Sequence, residues 1–243
     1  MDVCEATFGE IDIVCPGAGI FEPPQSAFWY PPGSLQSSDS VMESRYRIVD
    51  VNFVHPIRMT QLAISHFLKS AARVEQKKKK HILLVTSIAG HMPVFVAPLY
   101  SSTKHGVSAL VQSLAPLDDG SNIRVVGVAP GITATPIWFE SEDDKKALVN
   151  ETVDEWVSPE DVAIVMLALV ERDFIAKNLE DIDQDGGTIR IQGGTILEVS
   201  KSVRSISIFN DPGPVGRPGN TLGNMAQAEE SILQMLSHSV TEN

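Results

Sequence analysis

A phenol and an ammonium group lie four positions apart in this sequence, at Tyr100 and Lys104 in the stretch "LYSSTKHG". If the stretch is helical, the two side chains lie one turn apart on the same face. A free tyrosine has a pKa near ~10, and a neighbouring ammonium group would lower that pKa by stabilising the phenolate. The pair can then exchange a proton with a substrate oxygen, although unrelated helix residues also reach this spacing by chance.

The elements that must position this pair follow from the alternation of short apolar runs with longer helical patterns. Four runs have the length and composition of buried strands, at residues 11–15, 81–87, 123–129 and 195–199. Helical patterns lie at about 53–72, 99–115 and 159–173, and Ser158 is the expected N-cap of the last one. This order predicts an α/β protein with a doubly wound parallel sheet and helices on both faces, three layers in all.

In such a sheet, ligands bind at the carboxyl ends of the strands. The first predicted strand runs into "PGAG", the second ends in "TSIAG" with Ser87 at its tip, and the third ends in "PGITAT". Small residues at these points let a flat ligand lie close to the backbone. Each motif alone is an ordinary turn, but three at one edge of a sheet indicate a binding site.

In this order the motifs resemble those of the short-chain dehydrogenase/reductase family. "DIVCPGAG" resembles that family's strand leading into Asn-Asn-Ala-Gly, and "DVNFVHPIRMTQ" resembles its helix with a catalytic asparagine. "VTSIAG" resembles the serine strand, "YSSTK" the Tyr-x-x-x-Lys helix, and "APGITAT" the loop at the nicotinamide end. The resemblance covers about residues 9–200 and is nearest to fungal members similar to NAD-dependent 15-hydroxyprostaglandin dehydrogenases.

The resemblance implies a Rossmann-like fold and an NAD(P)-dependent oxidoreductase that interconverts a secondary alcohol and a ketone. By resemblance, Tyr100 exchanges the proton, while Lys104 supports the phenol and holds the nicotinamide ribose. Ser87 would bind the substrate oxygen and Asn52 the proton-relay water, although Asn52 alone fits a helix N-cap equally well. The expected cofactor, NAD or NADP, would contact Pro16, Gly17, Ala18, Gly19, Tyr100, Lys104, Pro130, Gly131, Thr133 and Thr135.

The sequence departs from the family at the pyrophosphate site. A Thr-Gly-x-x-x-Gly-x-Gly turn, whose helix end receives the pyrophosphate, does not occur in these 243 residues. Pro16 and Gly17 stand where the family usually has asparagines. We therefore expect the first strand and helix units to be missing, through truncation or in a degenerate member. The alternative function is a catalytically impaired chain that serves as a binding or dimerisation module.

The amino-acid composition limits the classes of partner that this protein is expected to bind. Nineteen basic and 31 acidic residues give a net charge of −12, which disfavours nucleic acid and anionic membranes. The lysine run 77–80 is expected to be a solvated loop. Two cysteines and the absence of a leader-like start favour a cytoplasmic protein, and the six histidines show no metal-ligand pattern. A hydrolase using Ser101 and Lys104 is disfavoured because no Gly-x-Ser-x-Gly elbow is present.

The expected organisation is one Rossmann-like domain at residues 1–210, followed by a Pro/Gly-rich arm and a short helix at residues 211–243. By resemblance, the helix at 53–72 and the helix that carries Tyr100 and Lys104 pair with their symmetry mates in a four-helix interface, which predicts a homodimer or homotetramer. Trp138 lies where the family has a substrate lid and favours an apolar small-molecule substrate. The aromatic segment 28–34 is either a surface loop or a lip over that substrate. The fungal likeness suggests secondary metabolism.

Overall fold

The structure, a computed structural model, describes residues 1–71, 78–139, 148–177, 187–200, 202–207 and 224–238. These residues contain seven strands, five of which form one central sheet. They are β1 (Ile13–Val14), β2 (Lys80–Val85), β3 (Ile123–Pro130), β4 (Phe174–Ala176), β5 (Thr188–Arg190), β6 (Ile196–Val199) and β7 (Val203–Ser205). The central sheet has the order β1-β2-β3-β6-β7, and its first four strands are parallel. Strand β7 pairs antiparallel with β6, and β4 and β5 form a separate antiparallel pair.

Helices cover both faces of this sheet. They are α1 (Asp2–Phe8), α2 (Arg47–Val49), α3 (His55–Ala71), α4 (Pro98–Ser113), α5 (Leu117–Ser121), α6 (Pro136–Phe139), α7 (Pro159–Glu171) and α8 (Met225–His238). A π-helical turn, Asp50–Val54, joins α2 to α3, and short 3₁₀ turns lie at Pro24–Ser26 and Ile88–Gly90.

The core consists of two apolar clusters, one on each face of the sheet. On strand β2, Ile82 and Leu84 pack with Phe67 of α3, whereas Leu83 packs with Leu169 of α7. This alternation follows from the two-residue period of a strand. Because both faces are covered, the parallel strands are continuously apolar, which explains why they were recognisable in the sequence.

The predicted α/β class and parallel sheet are confirmed. The four predicted strands fall on β1, β2, β3 and β6, and the three predicted helices fall on α3, α4 and α7. The N-cap of α7 is also as expected, since Ser158 Oγ accepts a hydrogen bond from the Asp161 N–H at 3.0 Å. The antiparallel strand β7 was not expected after the last parallel strand.

The prediction of a solvated lysine loop is wrong for its last two residues. Lys80 is only 5% exposed, and its Nζ donates to Glu10 Oε1 at 2.6 Å and to Asp12 Oδ1 at 2.9 Å. Lys79 pairs with Asp118. Lys80 thus holds the amino ends of β1 and β2 together, whereas Lys79 connects the start of β2 to α5. Lys77 lies outside the described residues.

The C-terminal segment contains helix α8 (Met225–His238). Helix α8 packs on α5, where a Cβ at Gly120 would lie 2.6 Å from Leu233 Cδ2. Leu233 and Leu236 also pack against the core cluster beneath α3 and α4. The Pro/Gly-rich stretch 210–220 lies outside the described residues, and the domain boundary at 210 stays a prediction. Among the described helices, none has the length and apolarity needed to span a bilayer.

Candidate active site

The carboxyl ends of β1, β2 and β3 open into a cavity of about 650 Å³. Helix α4 runs along one side of it, which brings Tyr100 and Lys104 to the tip of β2. Nine of the residues predicted for the site line this cavity: Gly17, Gly19, Ser87, Tyr100, Lys104, Pro130, Gly131, Thr133 and Thr135. The three strand-end motifs and the opening Tyr-Lys pair therefore meet at one place.

The polar centre of the cavity consists of Ser87, Tyr100 and Lys104. Ser87 begins the 3₁₀ turn after β2, and its Oγ accepts a hydrogen bond from the Ala89 N–H at 3.2 Å. The Ser87 side chain also lies close enough to the Tyr100 phenol to affect the pKa of that phenol. Lys104 Nζ lies 5.6 Å from the centroid of the Tyr100 ring and donates to the Val85 carbonyl at 2.9 Å. Two hydroxyl groups and one amine thus face a common space.

Burial sets the protonation of this centre. It lowers the pKa of Lys104 to about 8, because the side chain is only 6% exposed. Burial also raises the pKa of Tyr100, and the hydrogen bond to Ser87 opposes that rise. The pKa of Tyr100 is therefore raised and not lowered, because burial is the larger cause, and the support that Lys104 gives to the phenolate stays a prediction. Tyr100 is a neutral phenol at neutral pH, the form that donates a proton.

The depressed pKa of Lys104 makes stability depend on pH. The folded protein releases the Lys104 proton near pH 8, whereas the unfolded chain keeps it until about 10.5. Between these values the unfolded chain binds more protons, so the free energy of unfolding rises with pH. We expect the stability of the parent relative to Lys104→Met to increase between about pH 8 and pH 10, measured by urea unfolding. A difference that is constant over this range would contradict the assignment.

Asn52 lies behind the cavity and not on its wall. Its side chain is 2% exposed, and its Oδ1 accepts from the Ile20 N–H at 2.8 Å while its Nδ2 donates to the Ile20 carbonyl at 2.7 Å. The alternative N-cap assignment is wrong, because Asn52 lies inside the π-helical turn that continues into α3. Asn52 braces the loop after β1, and its role in a proton relay stays a prediction.

Of the four residues after β1 that were predicted to contact a dinucleotide, two lie on the cavity wall and two do not line it. Gly17 and Gly19 line the cavity, whereas Pro16 and Ala18 are not among its lining residues. A Cβ at Gly19 would lie 3.7 Å from Asn52 Oδ1 and 3.8 Å from Lys104 Nζ, so this loop passes directly over both groups.

The loop after β3 is braced from outside the motif. Thr133 forms an isolated parallel bridge with Val157, and the Thr133 hydroxyl donates to the Gly131 carbonyl at 3.1 Å. Thr135 in turn donates to the Thr133 carbonyl at 3.3 Å. Across the described ranges, no group of three or more His, Cys, Asp or Glu side chains is arranged to hold a metal ion.

Aromatic rings form the apolar side of the cavity. The Phe21 ring lies 4.9 Å from the Tyr100 ring and 5.6 Å from the Trp138 ring, and Trp138 lies 6.2 Å from Trp156. The sequence pointed to Trp138 but not to Phe21 or Trp156, because an isolated aromatic residue carries no local signal.

The aromatic segment 28–34 is a surface loop and not part of the cavity wall. Phe28, Trp29 and Tyr30 remain about half exposed, and none of them is among the lining residues. Trp29 packs on Phe95 with their ring centroids 4.9 Å apart, and its Nε1–H donates to the Phe95 carbonyl at 3.1 Å. This contact connects the loop after β1 to the loop before α4.

The strand ends of this parallel sheet bring a serine together with a tyrosine and a lysine that lie one helical turn apart. This arrangement defines a dehydrogenase-like site. The chain belongs to the short chain dehydrogenase family, whose model matches residues 1–146. It is 30% identical over 132 residues to the short-chain dehydrogenase/reductase prx4 of Penicillium roqueforti, covering 54% of this chain and 37% of that protein. It is 28% identical over 147 residues to the L-fucose dehydrogenase of Mus musculus, covering 59% of this chain and 47% of that protein. The chain thus spans about half the length of these curated relatives, or less.

Solved structures share the fold. A 3-ketoacyl-(acyl-carrier-protein) reductase of Brucella melitensis complexed with NADH has a TM-score of 0.57 at 24% identity, over 82% of this chain and 70% of that chain. A 3-oxoacyl-[acyl-carrier protein] reductase of the same organism in complex with NAD has a TM-score of 0.59 at 22% identity, over 82% and 69% of the two chains. At these identities the likeness establishes the Rossmann-type fold.

Proposed function

We propose that this chain carries the catalytic part of an NAD(P)-dependent oxidoreductase that interconverts a secondary alcohol and a ketone. The observation that carries the proposal is that Ser87, Tyr100 and Lys104 line one cavity, with Lys104 Nζ 5.6 Å from the centroid of the phenol ring, at the strand ends of a family member. Family membership supports a nicotinamide cofactor. The two similar reductases of Brucella melitensis, which are in complex with NADH and with NAD, agree with that cofactor class.

The residues present fit the nicotinamide end of such a cofactor. Gly17 and Gly19 leave the cavity wall free of side chains, and a Cβ at Gly19 would project toward Lys104 Nζ. When bound, the dinucleotide supplies or accepts the hydride at the substrate carbon. Lys104 Nζ donates one hydrogen bond to Val85, so its remaining N–H groups are available for ribose hydroxyls.

In the direction of reduction, the Tyr100 phenol donates its proton to the carbonyl oxygen as the carbon receives the hydride. The Ser87 hydroxyl donates a hydrogen bond to the same oxygen and stabilises the negative charge that develops there. The phenolate left on Tyr100 is stabilised by Lys104 when the lysine is protonated. The oxidation of an alcohol uses the same groups in reverse, with Tyr100 accepting the hydroxyl proton.

An apolar substrate fits the remainder of the cavity. Phe21 and Trp138 form one side, and Met92, Val94 and Val96 form another. Burying such surfaces against a substrate contributes about 25 cal/mol per Å² of apolar area. A setting in fungal secondary metabolism, and likeness to the prostaglandin dehydrogenases, rest on the resemblance alone and remain part of the proposal.

A second candidate function is a binding or dimerisation module. The exposed apolar side chains Val54 and Leu62, in the π-helical turn and on α3, support assembly into a homodimer or homotetramer. Light scattering at micromolar concentration tests that assembly.

Titration with NADH and with NADPH, followed by nicotinamide fluorescence, tests the two functions. We expect the 243-residue chain to bind either dinucleotide weakly, and the same chain extended by a Gly-rich strand-turn-helix to bind one of them tightly and turn over apolar ketones. Lys78→Met removes one positive charge at an exposed lysine outside the cavity and is the control for an effect of net charge on dinucleotide binding. Absence of binding and turnover in the extended chain would leave the module as the function.

A further inference from the structure

Glu22 is a buried carboxylate in the loop after β1, with 7% of its surface exposed. Its two oxygens accept hydrogen bonds from two separate backbone groups. The Phe28 N–H donates to Oε1 at 2.6 Å, and the Tyr100 N–H donates to Oε2 at 2.9 Å. Burying a carboxylate is costly unless both oxygens are satisfied, so these two contacts account for its position.

The contact with Tyr100 replaces a missing helix cap. Helix α4 starts at Pro98, and its N-cap residue, Ala97, has no side chain that can accept a hydrogen bond. The first N–H groups of a helix have no acceptor within the helix, and a carboxylate is their preferred partner. Glu22 supplies that acceptor from 78 positions away. The first turn of α4 is therefore fixed by another loop and not by its own sequence.

The same loop presses an aromatic ring on the phenol. Asn52 holds Ile20 through both its N–H and its carbonyl, at 2.8 and 2.7 Å. Glu22 is fixed two residues later by its hydrogen bond to Tyr100. Phe21, which lies between these two anchored residues, packs on the Tyr100 ring with the centroids 4.9 Å apart. The loop thus contacts Tyr100 twice, at its backbone and at its ring.

We propose that Glu22 is a positioning residue that holds the first turn of α4 against Phe21 and thereby keeps the Tyr100 phenol at Ser87. The significance of this position for turnover rests on the proposed function. The contact itself does not, because it is measurable in the protein without substrate or dinucleotide.

The test compares Glu22→Met, which removes both acceptors at similar length, with Glu22→Gln, which keeps one oxygen acceptor. Glu43→Gln is the matched control, at an exposed glutamate. Amide hydrogen exchange is measured at Tyr100 and Phe28. The NMR signals of the Tyr100 ring are followed in a Tyr30→Phe/Tyr46→Phe background, which leaves Tyr100 as the single tyrosine of the three.

In Glu22→Met we expect exchange of the Tyr100 amide to accelerate by about tenfold or more, because the amide loses its hydrogen bond to a charged group. The Tyr100 ring signals should move toward those of an exposed tyrosine as the contact with Phe21 loosens. Glu22→Gln should show a smaller change than Glu22→Met in both the amide exchange and the ring signals. Glu43→Gln should match the parent. In an active extended chain, Glu22→Met should lower kcat and leave the dinucleotide Kd unchanged.

Parental exchange and parental ring signals in a folded Glu22→Met variant would overturn the proposal. If Glu22→Met does not fold, Glu22→Gln decides, since one oxygen cannot serve both donors in the same way. Parental exchange at both Tyr100 and Phe28 in that variant would also overturn it. Failure of the proposed function would look different, with the exchange and ring effects present and no dinucleotide-dependent turnover in the extended chain.

Discussion

Turnover should fall by about 10²–10⁴-fold when Tyr100 is replaced by phenylalanine, the range that general acid catalysis supplies. The measurement uses the chain extended by a Gly-rich strand-turn-helix, with kcat and the dinucleotide Kd determined separately. The phenyl ring keeps the packing on Phe21, where the centroids are 4.9 Å apart, and the substitution removes only the hydroxyl that shares the cavity with Ser87. The dinucleotide affinity should therefore remain close to that of the parent.

Tyr46→Phe serves as the control, because Tyr46 is 39% exposed and is not among the residues that line the cavity. It should retain parental kcat and parental Kd. Equal turnover of Tyr100→Phe and the parent would show that the spacing of Tyr100 and Lys104 is coincidental and would remove the catalytic assignment.

The second large effect is expected for Lys104→Met, which should damage both turnover and dinucleotide binding. In the proposed function, Lys104 stabilises the phenolate of Tyr100 and also binds the ribose hydroxyls. A hydrogen bond to a charged group contributes about 1.5–3 kcal/mol, so the Kd should rise by about tenfold or more. We expect kcat to fall by about 10²-fold or more at the same time, because the phenolate loses its nearby positive charge.

Fluorescence titration and steady-state kinetics on the same preparation separate the two roles. A lower kcat with parental Kd would restrict Lys104 to the phenol, and parental values of both would remove it from the site. Lys78→Met controls for the loss of one positive charge at an exposed position.

The sheet and the polar centre could be predicted because their signals are local in sequence. Continuous apolar runs mark strands that are buried on both faces, and β3 is buried along almost its whole length. Ser87, Tyr100 and Lys104 follow once parallel strand ends are known to meet at one edge. The short strands β4, β5 and β7 have three residues each, too few to show a period.

Other features depend on contacts between distant parts of the chain. Glu22 and Phe21 act on Tyr100 from 78 and 79 positions away, and neither belongs to a motif. The direction of the Tyr100 pKa shift depends on burial, which the four-residue spacing to Lys104 does not contain. Lys80 similarly lies in a charged run, yet it is buried against Glu10 and Asp12.

The π-helical turn Asp50–Val54 has a consequence for how this region tolerates insertion and deletion. A wide turn of this kind contains one residue more than an α-helical path would need. Deleting one of the five residues would let the backbone close into a regular α-helix, so α2 and α3 would keep their relation while the side chains within the turn would change direction. The Asn52 side chain bonds to both the N–H and the carbonyl of Ile20, in the loop after β1. A deletion in this turn would therefore act first on the contact between Asn52 and Ile20, beside the cavity, and not on the packing of α3.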